Sequence, residues 1–465
     1  MKVRNPRTGE NDYEITPLDA AVIETLAATL RAKQTAWALV DRKSALHTLA
    51  DAIERHADAV TDALILDTGR AAISRIEITG TIRMIRRWAD HAAQIVAQHS
   101  QADQATSIPG ISTSTRLAPY PLVGVISPWN FPLTLALIDA IPALAAGCAV
   151  IVKPSEVTPR FIRPLMAAIA ETDVPLAIIE GDGATGAILT YAVDYIAFTG
   201  SVATGRKVAA AAADAFIPAS LELGGKDPMI ILASANPVEA AAIALRASVV
   251  NTGQACQSIE RVYVARDIAE TFLAALVDAA NAVRLNFPDI NTGDIGPFIF
   301  ATQADIVQAQ IDDAVANGAT VLTGGQVETR GGGKYLRPTV LTGVNSAMKI
   351  MRDETFGPVI PVTVFDTVDE AIALANDSAF GLSASVIGDD AESVAVRLTA
   401  GAVSINDGAL TSMVWEAEKS SFGASGLGPS RMGDSGILRF FRRQALIKQS
   451  GTALPIAAYA EETIR

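Results

Sequence analysis

Over residues 17–100 apolar positions recur at helical spacing, as in DALILDTGRAAISRIEITGTIRMIRRW, and the pattern predicts three helices with their charged faces turned to solvent. Residues 107–121, SIPGISTSTRLAPYP, change character: the pattern alternates and Ser, Thr and Pro dominate, which predicts an exposed β-ribbon. Beyond Leu122 short β-branched runs alternate with helical stretches, in VGVIS, CAVIVK, LAIIE, YIAFTG, LELGG and MIILA. A second series begins near Pro237 with RVYVA, TVLTGG, VIPVTVFD and SASVIG. Strand and helix in alternation predict mostly parallel sheets covered on both faces, so the fold class is α/β, and two such units in sequence place a cleft between them. Residues 444–460 are weakly patterned and can pair with the ribbon, although nothing in the sequence requires it.

Composition narrows this picture. A chain of 465 residues, 50% apolar, is too long for a single core. Residues 132–152, PLTLALIDAIPALAAGCAVIV, are the most membrane-like, but Asp139 and Pro142 interrupt the run, which reads instead as a buried helix leading into a strand. The start, MKVRNPRTGE, lacks the apolar run of a secretory signal. The formal charge of −13 repels a phosphate backbone, which argues against nucleic-acid partners. Two cysteines, Cys148 and Cys256, stand in unrelated contexts and give no disulfide framework, so a reducing, cytoplasmic location is expected. No metal site is expected.

Candidate chemistry comes from three glycine-containing turns. Residues 181–186, GDGATG, match GxGxxG after a strand, but no acidic residue follows at the distance that a ribose contact needs, so a plain strand-to-helix turn is favoured. In FTGSVATG a strand ends at Gly200 and Ser201 can cap the next helix, whose N-terminus is suited to a pyrophosphate, although the same layout is ordinary α/β construction. NTGQACQS puts Cys256 on a loop beyond a helix that Asn236 caps and residues 251–253 end. Cys148, in AAGCAVIV, fits a buried, inert thiol. His47, His56, His91 and His99 all lie in the N-terminal helical region, so a Cys/His pair is hard to build, and the carboxylate of Glu222 in LELGGKDP remains as a base for Cys256.

With GVISPWNFP, IVKPSE, FTGS, LELGGK, GQAC and ETFGPV in this order, the chain resembles the aldehyde dehydrogenase superfamily over essentially its whole length. The resemblance implies a Rossmann-like cofactor domain in residues 1–104 and 121–224, an α/β catalytic domain in residues 225–430, and an oligomerisation element in residues 105–120 and 440–465. It also implies a homodimer or homotetramer. Cys256 would attack an aldehyde carbonyl, Asn130 and the backbone N–H of Cys256 would receive the oxyanion, NAD would take the hydride, and Glu222 would activate water against the resulting thioester. Cofactor contacts carry over to Ser127, Trp129, Lys153, Ser155, Glu156, Gly200, Ser201, Gly205, Leu223, Gly224, Glu354 and Phe356. Glu156 disfavours a 2′-phosphate, so NAD is expected over NADP.

The register places Phe131, Leu135, Ile138, Ala255, Gln257, Trp415 and Phe422 along a substrate tunnel. That mostly apolar wall suits an aromatic or medium-chain aliphatic aldehyde better than a semialdehyde, which usually calls on a paired Arg. Two departures stand out: Asp139 replaces a Lys that many relatives use in a proton relay, and SSFGASGLGPSRMG shortens a loop that usually borders the tunnel. The competing readings are a semialdehyde dehydrogenase, a thiol esterase without redox chemistry, and a non-catalytic protein on the same fold. Cys256, Glu222 and Asn130 together argue against the last.

Overall fold

The computed structural model describes residues 1–460. Four helices, not three, precede the ribbon: Ala20–Trp37, Arg42–Arg55, Ala57–Thr68 and Ala71–His99. The extra break falls at His56, whose non-helical backbone ends one helix and starts the next, and Gly69 ends the third in a left-handed conformation. Continuous apolar spacing hid a change of direction that costs the pattern almost nothing.

A six-stranded sheet runs in the order Gly426–Leu427, Ala219–Glu222, Tyr195–Thr199, Leu122–Ile126, Ala149–Lys153, Leu176–Ile178, parallel except for the first strand. Its alternating side chains feed two cores. Val123, Val125, Val150 and Val152 pack with Leu49, Ile53, Leu64, Ile85 and Trp88 of the second to fourth helices. Leu122, Ile151, Ile196 and Phe198 meet Ile23, Ala27 and Leu30 of the first helix on the opposite face.

The seven-stranded sheet has the order Thr320–Thr323, Thr339–Thr342, Val359–Phe365, Ile259–Ala265, Asp227–Ile231, Ser383–Ile387, Ala402–Ile405. MIILA, which sequence pattern groups with the first series, thus sits inside the second sheet, between Ile259–Ala265 and Ser383–Ile387. A short apolar run carries no mark of which sheet it joins.

The membrane-like run folds as two short helices, Pro132–Leu137 and Ala140–Ala146, before the strand Ala149–Lys153. Among the described residues no helix is long and apolar enough to cross a membrane. The ribbon is a three-stranded antiparallel sheet in which Phe441–Gln449 pairs with Ile111–Pro119 without a slip, from Phe441 opposite Pro119 to Gln449 opposite Ile111. Its third strand, Gln101–Ala105, begins directly after the fourth helix. Phe440, counted with the oligomerisation element in sequence, is buried in the N-terminal core. Residues 461–465 of that element lie outside the described residues.

Candidate active site

Cys256 follows a helix whose two ends are fixed. Asn236 accepts from the N–H groups of Val238 and Glu239, and Pro237 takes the first position of Pro237–Val249. After it Asn251 and Thr252 adopt left-handed backbone, φ 63° and 59°, and Gly253 follows at 66°. A Cβ on Gly253 would lie 2.3 Å from the Gly357 carbonyl, so glycine is required. Left-handed geometry costs a non-glycine residue on the order of 1–2 kcal/mol. Hydrogen bonds hold it in place: Asn251 Nδ2 donates to the carbonyls of Asn130 at 3.2 Å and Gln254 at 2.9 Å, and Thr252 Oγ1 to that of Gly296 at 3.1 Å. Backbone strain held by buried hydrogen bonds is a mark of a site whose geometry matters.

A second loop, beyond the strand Leu122–Ile126, brings Asn130 to the same place; its Nδ2 donates to the Gln254 carbonyl at 3.0 Å. The buried guanidinium of Arg70 joins the two loops, donating to the carbonyls of Asn251 and Asn130, each at 3.3 Å. Burial pushes Arg70 down to about 9, and the charge of Glu77 opposes that shift.

A cavity of about 360 Å³ is lined by Cys256, Asn130, Trp129 and Leu135 together with Gly200, Ser201, Leu223, Gly224, Glu354 and Phe356. Ser201 caps the helix Val202–Asp214, accepting from Thr204 N–H at 3.3 Å. Gly224 allows the close approach of Glu354, since a Cβ there would stand 2.4 Å from Oε2. Glu354 Oε1 accepts from Gly225 N–H at 3.2 Å, yet burial and then the charge of Glu260 push this carboxyl up to about 8. Glu260 is paired with the buried Lys226 at 2.7 Å and accepts from Thr355 and Phe356 N–H, both at 2.8 Å, which fixes the ETFGPV loop. Trp129 meets Phe356 edge to face at 5.4 Å and Phe300 at 6.0 Å.

Cys256 is partly exposed to the cavity. Burial of its thiol, and then the negative charge of Glu222, push it up to about 12, while Lys419 and Arg431 pull the other way. Glu222 ends the strand Ala219–Glu222. Its carbonyl accepts from Gly200 N–H at 3.1 Å and its neighbour Leu223 donates to Ser425 O at 2.8 Å. Its carboxylate is met by Lys419 Nζ at 2.9 Å and Ser421 Oγ at 3.4 Å.

The remaining expected residues lie outside the cavity lining. Lys153 and Glu156 form an ion pair at 3.1 Å, Ser155 Oγ accepts from Val157 N–H, and Ser127 Oγ is buried without a partner among the described residues. Gly205 packs under Leu223. Ala255 and Gln257 flank the thiol, and Gln257 accepts from Thr411 Oγ1 at 2.5 Å. Phe131 precedes the helix Pro132–Leu137, and Ile138 packs on the N-terminal core. Trp415 stands elsewhere, 5.6 Å from Trp88 and beneath the Arg87 guanidinium, lining a separate cavity with His99. Phe422, 44% exposed, pairs with Gly381 in a short strand. Sequence reasoning missed Pro128, Thr199, Phe300, Gln303 and Ile306 in the cavity wall, and Lys419 beside Glu222. The charged EAEK before the departing loop was the only hint of the last. Asp139 is fully buried between Arg431, at 2.8 Å, and Arg439. Burial raises its carboxyl, but the two guanidinium groups outweigh that and hold it below the usual range.

A capped helix N-terminus, an aromatic wall and a glycine opposite Glu354 fit a nicotinamide dinucleotide, with the pyrophosphate suited to Gly200 and Ser201. The model of the aldehyde dehydrogenase family matches residues 1–446. The chain belongs to the aldehyde dehydrogenase family. The family assigns it NAD(P)-dependent oxidation of aldehydes. The putative aldehyde dehydrogenase PutA from Anabaena variabilis is 49% identical, with a TM-score of 0.95 over 98% of both chains. Betaine aldehyde dehydrogenase from Staphylococcus aureus in complex with NAD+ is 29% identical, with a TM-score of 0.90 over 98% of this chain and 92% of that one. A putative succinate-semialdehyde dehydrogenase [NADP(+)] of Mycolicibacterium smegmatis is 36% identical, covering 93% of this chain and 86% of the relative.

Proposed function

We propose that this aldehyde dehydrogenase oxidises an aromatic or medium-chain aliphatic aldehyde to the carboxylic acid with NAD, through a covalent intermediate on Cys256. The observation that carries this reading is one cavity lined by Cys256, Asn130, Glu354 and Phe356, with Glu222 one residue from its wall. Cys256 Sγ bonds to the carbonyl carbon as its proton passes to Glu222, and the oxygen, now an anion, is received by Asn130 Nδ2 and the Cys256 N–H. Bound NAD supplies the acceptor for the hydride that leaves this carbon. Glu222 passes that first proton to solvent, then takes a proton from water adding to the thioester; the C–S bond breaks, and Glu222 returns this proton to the departing sulfur, leaving the thiol and the carboxylic acid.

Lys153, Glu156 and Ser201 would hold the dinucleotide. NAD is favoured because the Lys153 ammonium is already paired with Glu156, whose carboxylate would repel a 2′-phosphate. An uncharged substrate is favoured because no Lys or Arg is among the described residues that line the cavity, and the nearby Lys419 is balanced by Glu222. We assign residues 1–104 and 121–224 to cofactor binding and residues 225–430 to catalysis. The exposed strand Phe441–Gln449 supports a role of the ribbon in a dimer or tetramer, and two free thiols support a reducing, cytoplasmic setting.

A panel of aldehydes with NAD or NADP, followed by nicotinamide absorbance, tests this reading. Benzaldehyde and hexanal with NAD should give the highest kcat/KM. A higher value for succinate semialdehyde, or for NADP, would overturn the corresponding assignment, and ester cleavage with no reduction of either dinucleotide would favour a thiol esterase. Asn130→Ala should lower kcat by about 10²- to 10³-fold, as loss of one oxyanion donor does. Dinucleotide affinity, read by fluorescence titration, should remain near that of the parent.

A further inference from the structure

Lys419, just before the segment that departs from the family pattern, and Arg431 within it lay two cations across the ends of adjacent strands. Thr199 and Glu222 are register partners at the C-terminal ends of their strands. Arg431 donates to Thr199 and shares Asp139 with Arg439, while Lys419 Nζ lies 2.9 Å from Glu222 Oε1. The Lys419 side chain is 5% exposed and that of Glu222 15%, so solvent screens this pair weakly. The lysine backbone is anchored as well, its N–H donating to Ser430 Oγ at 3.2 Å, and Ser430 Oγ also accepts from Met432 N–H at 3.0 Å. Both ends of the shortened loop are thereby fixed.

We propose that Lys419 is a positioning residue for the general base: its ammonium, held 2.9 Å from Glu222 Oε1 where solvent hardly reaches, balances the charge of that carboxylate and aims it at the loop. The proposal rests on the reading of Glu222 as the base. A mostly buried carboxylate without a counterion would take up a proton and could not accept another from water. The thiol has Glu222 as its main negative neighbour, joined by Glu354 only at higher pH, and Lys419 and Arg431 as positive ones. Asp227 also lies within reach of the Lys419 charge. Removing Lys419 therefore leaves the thiol facing more negative charge, and the thiolate needs higher pH. The same loss moves the acid-side limb of turnover upward, since the carboxylate has lost the charge that balanced it.

The test compares Lys419→Met, Lys419→Arg and Glu222→Gln with the parent enzyme. Alkylation by iodoacetamide as a function of pH, without dinucleotide, reports on Cys256. Cys148 stays silent because it is fully buried with its thiol against the Phe440 carbonyl. Lys419→Met should move both the alkylation limb and the acid limb of kcat up by about one pH unit. Steady-state turnover at pH 7 should fall by about ten- to a hundred-fold while the first burst of reduced dinucleotide persists. Lys419→Arg should recover most of each loss. Parent-like limbs in Lys419→Met, or slower turnover with unmoved limbs and no recovery by Arg, would overturn the proposal. Full turnover in Glu222→Gln would instead overturn the assignment of the base. If Lys419→Met does not fold, Lys419→Gln carries the same expectations, because it keeps a donor and loses the charge.

Discussion

Cys256→Ser is expected to lose aldehyde oxidation by about four orders of magnitude or more, the scale seen when a covalent nucleophile is removed. Serine keeps the shape of the residue, but its hydroxyl ionises far less readily than a thiol. The site is already unfavourable to anions, since burial and Glu222 push the native thiol up to about 12. Among the described residues no histidine lines the cavity to act as a stronger base. Dinucleotide binding should survive, because Gly200, Ser201, Glu354 and Phe356 are untouched. Absorbance assays for oxidation and fluorescence titration for binding separate the two effects. Substantial steady-state oxidation in Cys256→Ser would remove the covalent mechanism.

Glu222→Gln is expected to separate the two halves of the reaction. One equivalent of reduced dinucleotide per active site should form, more slowly than in the parent because the thiol has lost its proton acceptor, followed by turnover slowed by about 10²- to 10⁴-fold. Rapid-quench or stopped-flow measurement reads the burst, and mass spectrometry reads the acyl group left on Cys256. The amide also strands the Lys419 ammonium without a counterion, a loss on the order of 3 kcal/mol for a buried pair. Thermal unfolding should therefore occur at lower temperature than in the parent, even where the burst is intact. A variant that keeps the turnover of the parent would place Glu222 outside the chemistry.

Local features of this site were written in the chain and its long-range ones were not. Asn236, Pro237 and the turn at residues 251–253 act within a few positions of one another, and they cap and end the helix before Cys256 as their residue types require. Ser201 likewise caps its own helix. The β-branched runs gave strands, but MIILA changed sheets because two apolar faces look alike without tertiary context. The partner of Glu222 lies 197 residues away, and Asp139 meets Arg431 across 292. No periodicity reports such encounters. Asp139 drew attention only as a missing lysine, whereas its buried pairing with two arginines gives it a structural use of its own. Trp415 failed to reach the thiol cavity for a related reason: register fixed its place in the chain, but Trp88 and Arg87 decide where its ring rests.

The helix Ala71–His99 spans roughly 43 Å at the usual rise per residue. Arg70, just before its first turn, grips both the loop of Asn130 and the loop of Asn251, and the strand Gln101–Ala105 leaves directly from its far end. One continuous helix thus ties the ribbon at one end to the loops that carry Asn130 and Cys256 at the other.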